Sequence, residues 1–136
     1  MIGLTARQGK RYKGVTYRSG FEASIAEQLD SDGIEFAYEP GTYLYSSPRE
    51  YTPDFVLPGG VVVEAKGNLS PQDRRLLLEV RDQNPGLDLR LLFERAGNRL
   101  TPKRYAKTSM TYGEWATKHG FIWAEGPSIP REWILT

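Results

Sequence analysis

Two strand-like segments, Tyr51 to Leu57 and Val61 to Lys66, stand on either side of Pro58-Gly59-Gly60. Strand-like runs separated by a short Gly-containing turn predict a β-hairpin, here with a three-residue loop. The loop sets the register. If Leu57 faces Val61, then Asp54 stands directly opposite Glu64. Directly opposed residues lie on one face with Cβ atoms ~4.5–5.5 Å apart. Lys66 is two residues beyond Glu64 and shares that face. Two opposed carboxylates repel, so the pair needs an offsetting group. A divalent cation does this best, because Mg²⁺ takes oxygen ligands and is commonly held by one or two carboxylates while keeping water for a phosphate. Asp54, Glu64 and the backbone carbonyl of Ala65 are the candidate metal ligands, with Mn²⁺ as a substitute for Mg²⁺. Lys66 is placed to orient an attacking water or to neutralise charge at phosphorus. The competing reading is two solvated surface carboxylates with Lys66 as their ion-pair partner.

The rest of the chain supplies a setting for that hairpin. Ser19-Gly20-Phe21-Glu22 has the form of a capping box, and Phe21, Ile25 and Leu29 follow at helical spacing, so a helix is predicted over about 20–31. Glu22 is then the N3 acid of the box. It also lies on the side of Ile25, Ala26 and Leu29, where an acid needs a partner. Ile34, Phe36 and Tyr38 alternate as a strand, and Tyr43 to Tyr45 form another. Ser70-Pro71-Gln72-Asp73 opens a second helix with Pro at N1, running to about Gln83. Leu87 to Phe93 alternate as a strand, Thr111 to Gly120 hold a short helix, and Phe121 to Trp123 a last strand. A chain of 136 residues with this order is one mixed α/β domain, helices packed on a central sheet.

Composition closes several routes. There is no cysteine and one histidine, His119, so thiolate zinc sites and Cys nucleophiles are excluded, and a Ser-His-Asp triad is disfavoured. No apolar run approaches the ~20 residues that cross a bilayer, and neither a membrane nor an organic cofactor is expected. Net charge is +1, but unevenly spread. Residues 1–21 and 95–113 contain ten bases and no acid, against a net −9 elsewhere. Arg7, Lys10, Arg11, Lys13 and Arg18 in the first segment, and Arg99, Lys103, Arg104 and Lys107 in the second, are the candidate DNA-binding residues. Their interleaving with tyrosines suits phosphate contact and base stacking.

Several segments together resemble the phage endonuclease I family, Holliday junction resolvases of the restriction-endonuclease-like fold. They are Arg18-Ser19-Gly20-Phe21-Glu22, Gly33-Ile34-Glu35-Phe36, Tyr51-Thr52-Pro53-Asp54-Phe55, Val63-Glu64-Ala65-Lys66-Gly67, Asn84-Pro85-Gly86-Leu87-Asp88-Leu89-Arg90, Tyr112-Gly113-Glu114-Trp115 and Ile129-Pro130-Arg131-Glu132-Trp133-Ile134. The Asp…Glu-x-Lys core is common to many nucleases, and the later segments are the more specific part. The resemblance implies a Mg²⁺-dependent nuclease of branched DNA with catalytic positions Glu22, Asp54, Glu64 and Lys66, Glu22 serving a second metal or its water. It implies a homodimer in which a bridge, here Glu39 to Glu50, exchanges halves between protomers, and a location in the cytoplasm of a host cell. An additional acidic position of the best-known member is occupied here by Ala37. Two alternatives stay open: a nuclease of the same fold acting as a transposase end-cleaving subunit or mismatch nickase, and a DNA-binding module without catalysis.

Overall fold

The computed structural model describes residues 10–45, 49–101 and 109–135. Five strands make the central sheet: β3 (Ala37–Tyr38), β6 (Phe55–Val56), β7 (Val62–Lys66), β8 (Leu89–Phe93) and β9 (Trp123–Glu125), in that spatial order. β3, β6 and β7 are antiparallel neighbours, whereas β7, β8 and β9 run parallel. Parallel neighbours need crossovers, and helices α2 (Pro71–Gln83) and α3 (Tyr112–Lys118) supply them. α1 (Gly20–Ser31) and the short α4 (Arg131–Ile134) pack on the opposite face.

The pleat sorts the core. Val62, Leu89, Leu91 and Phe93 point to one face and meet Leu77 and Val80 of α2 and Trp115 and Ala116 of α3. Val63 and Leu92 point to the other and meet Ile25, Ala26 and Leu29 of α1 together with Trp133. With both faces covered, β7 and β8 carry apolar residues at successive positions before β7 turns polar at Glu64. His119 caps α3 and its ring lies 4.8 Å from that of Trp115, a structural role. Helix α3 tolerates Gly113 because Trp123 lies against it, where a Cβ would meet the indole at 2.6 Å.

The expected mixed sheet flanked by helices is the fold observed, with local differences. The strand expected over Tyr51 to Leu57 is two pieces. Tyr51 belongs to β5 (Arg49–Tyr51), which pairs with β4 (Tyr43–Tyr45) as a separate ribbon. Pro53 lacks an N–H and interrupts the run before β6. Because β6 has two residues, β3 is equally short, and Ile34 instead gives its N–H to the Leu29 carbonyl at the end of α1. The last strand begins at Trp123, since Phe121 is buried beneath α3. Part of the first basic segment is a hairpin, β1 (Lys10–Tyr12) with β2 (Val15–Tyr17), turning at Lys13 and Gly14. Both turn residues have positive φ, 51° and 80°, the geometry of a tight two-residue hairpin.

Candidate active site

The Pro58-Gly59-Gly60 turn has the expected register. Phe55 faces Val63 and Val56 faces Val62, and Leu57 N–H bonds the Val61 carbonyl. Gly60 turns the chain at φ 93°. The ladder stops one pair before Asp54. There the side chain takes over, and Asp54 Oδ2 accepts the Ala65 N–H at 2.9 Å. Asp54 and Glu64 are only 3% and 7% exposed, which overturns the reading of two solvated surface carboxylates.

Around them opens a cleft of about 920 Å³ at the carboxyl end of β7. Ligand sites of open α/β sheets form at such strand ends. The first turn of α1 enters from one side, bringing Glu22, and the first turn of α2 enters from the other, bringing Asp73. All four expected residues, Glu22, Asp54, Glu64 and Lys66, line this cleft together with Ala65.

Glu22 is 6% exposed. Ser19 caps α1 by accepting the Glu22 N–H at 3.1 Å, but Glu22 is not closed into the expected capping box. Its Oε1 accepts instead from the Tyr38 hydroxyl at 3.2 Å. Glu64 Oε1 accepts from the buried Tyr51 hydroxyl at 2.5 Å, and its Oε2 lies 3.5 Å from Lys66 Nζ. Lys66 Nζ also donates to Asp73 Oδ1 at 3.2 Å.

The charges are strongly perturbed. Burial, then the charges of Glu64 and Glu22 and a hydrogen bond with Glu22, push the Asp54 carboxyl well above its usual range, against the Ala65 N–H. Burial raises Glu64 as well, opposed by Lys66 and Tyr51. Burial disfavours the Lys66 ammonium, yet Glu64, Asp73 and Asp54 outweigh it and hold its pKa up. The cleft is lined by five carboxylates, Glu22, Asp54, Glu64, Asp73 and Glu94, against three cations, Arg18, Lys66 and Arg95.

One acid escaped the sequence reading. Glu39 lies two residues beyond Ala37, and its side chain is 4% exposed. A carboxylate oxygen from each of Glu22, Glu39 and Asp54 lies within 4.8 Å of the others. Glu39 adopts φ 48°, and its N–H bonds the Asp54 carbonyl. The sequence carries no periodic signal for it, because the placement follows from a left-handed residue just past β3. Tyr38 and Tyr51 read in the sequence only as members of predicted strands, but both point a hydroxyl at a site carboxylate.

The candidate DNA-binding residues divide. Arg18 lines the cleft and pairs with Glu39 at 3.2 Å. Lys13 lies on the β1–β2 turn and pairs with Asp30 at 2.6 Å. Arg99 is exposed and donates to the Ser109 carbonyl. Lys10 and Arg11 are placed in β1 by their backbone. Arg7, Lys103, Arg104 and Lys107 lie outside the described residues, as do 46–48 of the expected bridge. Among the described residues no helix is long and apolar enough to cross a membrane.

Comparison with known proteins agrees with this geometry. The profile of the family described as phage endonuclease I matches residues 1–136. The chain is 41% identical over 137 aligned positions to "Endonuclease I" of Escherichia phage T7, covering 98% of this chain and 87% of that protein. It is 40% identical over 116 positions to "Endodeoxyribonuclease 1" of Enterobacteria phage T3, covering 83% of this chain and 74% of that one. A profile match over the full length, two relatives at this identity and an Asp…Glu-x-Lys cleft on a mixed sheet place one conclusion beyond the individual motifs: the chain belongs to the phage endonuclease I family.

Proposed function

We propose that the protein is a metal-dependent endodeoxyribonuclease that hydrolyses phosphodiesters at four-way junctions and other branched DNA. The observation that carries this reading is the cleft itself, where buried Asp54, Glu64 and Glu22 converge with Lys66 at a strand end. Its surplus of two carboxylates over cations would repel a phosphate. A divalent cation reverses that sign, and Asp54 and Glu64, whose pKa values are raised first by burial, are poised to exchange a proton for it.

The donors present are all oxygens, which fits Mg²⁺, with Mn²⁺ as substitute. Asp54, Glu64 and the Ala65 carbonyl would hold one ion. Glu22 and Glu39, with Asp54 shared, offer oxygens for a second ion or its water. Bound Mg²⁺ supplies charge neutralisation at the phosphate and acidifies the attacking water. Lys66 orients that water and donates to the developing negative charge. Arg18, at the cleft wall, meets a flanking phosphate. Water adds to phosphorus, one P–O bond breaks, and the strand is left with a phosphate end and a hydroxyl end. Selectivity for junctions comes from branch shape and backbone contacts, since phosphate contacts position DNA without reading its sequence.

Two coordinated cuts across a junction call for two such clefts, so the working unit is a homodimer of two-fold symmetry. The β4–β5 ribbon stands apart from the central sheet between β3 and β6, which supports reading 39–50 as the segment that passes between protomers and exchanges halves. The place of action is the cytoplasm of the host cell, where the DNA substrate is.

The test is cleavage of an immobile four-way junction in Mg²⁺, beside a mismatched duplex and a linear duplex, with Asp54→Ala as control. The expected result is Mg²⁺-dependent cutting of the junction by the wild type and retained binding without cutting by the variant. Equal cutting of the mismatched duplex would favour the related-nickase reading. Binding without Mg²⁺-dependent cutting by the wild type would leave a DNA-binding module.

A further inference from the structure

Three helices begin with an acid at N3, and they use it differently. In α3, Glu114 is exposed, and its Oε1 accepts the Thr111 N–H at 2.8 Å, closing a capping box. In α1, the Glu22 carboxylate is turned to the cleft. In α2, Asp73 does both. Its Oδ2 accepts the Ser70 N–H at 3.0 Å, while its Oδ1 accepts from Lys66 Nζ at 3.2 Å. Asp73 therefore ties the start of a helix to the lysine of the site.

This contact has a geometric consequence. The Lys66 side chain is 15% exposed and lies between two carboxylates, Glu64 Oε2 at 3.5 Å on its own strand and Asp73 Oδ1 at 3.2 Å on α2. The helix side provides the closer of the two. With Asp73 removed, Glu64 is the remaining ion-pair partner, and the flexible lysine stem would let the ammonium fold onto it. That movement would draw the ammonium from its place between the two carboxylates and tighten its existing 3.5 Å contact with Glu64 Oε2. An ammonium has three donors, so two carboxylate contacts leave one for a third group in the cleft.

We infer that Asp73 is the positioning residue of this site: it anchors Lys66 Nζ to the N-terminus of α2, shares the ammonium with Glu64 so that it does not collapse wholly onto that carboxylate, and leaves its remaining donor aimed into the cleft. The inference rests on the nuclease reading above, in which Lys66 serves the attacking water. The second capping contact, from Asp73 N–H to Ser70 Oγ at 3.0 Å, does not involve Lys66 and provides a built-in control.

The experiment compares Asp73→Asn, Asp73→Glu, Ser70→Ala and Lys66→Ala in steady-state junction cleavage with saturating Mg²⁺, alongside thermal melting and junction binding without divalent cation. An amide offers one oxygen and faces the second donor with its own NH₂. A misplacement of this kind costs up to ~10²-fold in rate. Asp73→Asn is expected to lower kcat about 10- to 100-fold with KM and junction affinity within twofold of wild type. Asp73→Glu retains a capping acid and the melting temperature, but its longer carboxylate displaces Lys66, so kcat falls here too. Ser70→Ala is expected to lower the melting temperature while leaving kcat within twofold. Wild-type kcat in both Asp73 variants, with Lys66→Ala inactive, overturns this inference alone. So does a loss of kcat in Ser70→Ala as large as that in Asp73→Asn. Wild-type kcat in Lys66→Ala would remove the site reading and this inference with it.

Discussion

The Tyr51 hydroxyl donates to Glu64 Oε1 at 2.5 Å, and neither residue is more than 7% exposed. Tyr51 ends β5 of the outer ribbon, whereas Glu64 lies in the centre of β7, so the bond fastens the ribbon to the site. It also fixes which way Glu64 turns. Groups that hydrogen-bond a metal-ligating side chain orient it, and their loss typically costs ~10- to 100-fold in metal affinity.

Tyr51→Phe is therefore expected to raise the Mg²⁺ concentration for half-maximal cleavage by about one order of magnitude. The maximal rate at saturating Mg²⁺ should change less. A Mg²⁺ titration of junction cleavage checks this, and an unchanged midpoint would show that Tyr51 serves packing alone.

The crowded carboxylates make a prediction about pH. Asp54 and Glu64 are raised above their ordinary values of 3.8 and 4.5, first by burial. The folded protein thus holds protons that the unfolded chain releases. Stability falls with rising pH wherever the folded state binds more protons. Without divalent cation, the melting temperature should decline as pH rises from about the ordinary carboxylate range through the raised folded values. Asp73 and Glu114 are lowered and act oppositely, but their contribution is lost only as pH falls below that range. Lys66, Tyr38 and Tyr51 are raised from values of 10 or more and titrate beyond the window. Melting curves from pH 5 to 8, with and without Ca²⁺, are the measurement (pH range about that of maximal stability in most proteins). The stabilisation by Ca²⁺ should grow with pH, and a flat difference would contradict the coupling.

Neutralising one carboxylate separates function from stability. Asp54→Asn should abolish cleavage, because it removes a ligand charge, while junction binding stays near that of the wild type. At neutral pH and without metal, the same substitution should raise the melting temperature, since the burial of an ionisable carboxyl and its repulsion from Glu64 and Glu22 are relieved. Substantial cleavage by Asp54→Asn would dismiss the proposed ligand set.

Trp133 lies far from this chemistry in character. It is 3% exposed, packs with the α1 face of the core and lies beneath Arg90, whose guanidinium carbon is 5.6 Å from the ring centroid. Trp133→Ala should cost about 3–5 kcal/mol of stability, as large-to-small core changes do. Cleavage well below the new melting temperature should stay within a few-fold. Lost cleavage with an unaltered melting curve would make Trp133 a substrate contact.

Exchange across the 39–50 bridge can be read by complementation. If Glu22 of one protomer serves the cleft of the other, co-refolded Glu22→Ala and Glu64→Ala chains form heterodimers with one intact cleft. Nicking of one strand should return. No nicking, in a preparation whose heterodimers are verified by mass, would mean that each cleft is built within one chain.

Periodicity and turn chemistry in the sequence determined α1, α2, the hairpin turn and the register of Phe55 with Val63, because those depend on neighbours near in the chain. Ser70-Pro71-Gln72-Asp73 opens α2, and Pro58-Gly59-Gly60 aligns β6 with β7, from local geometry alone. The tight turn at Lys13-Gly14 was locally encoded too, but the basic residues around it masked the hairpin. Tertiary structure decided the rest. Whether Asp54 is a solvated acid or one buried beside Glu22 depends on α1 packing against Val63 and Phe55, a relation between segments far apart in sequence. Glu39 reaches Glu22 and Asp54 only because β3 pairs with β6 and the next residue turns left-handed. Asp73 reads from the sequence as a helix cap, and only the parallel crossover from β7 into α2 brings its second oxygen to Lys66. Electrostatic roles depend on distances of a few ångströms between such elements, and those distances are set by the packing of the two faces of the sheet.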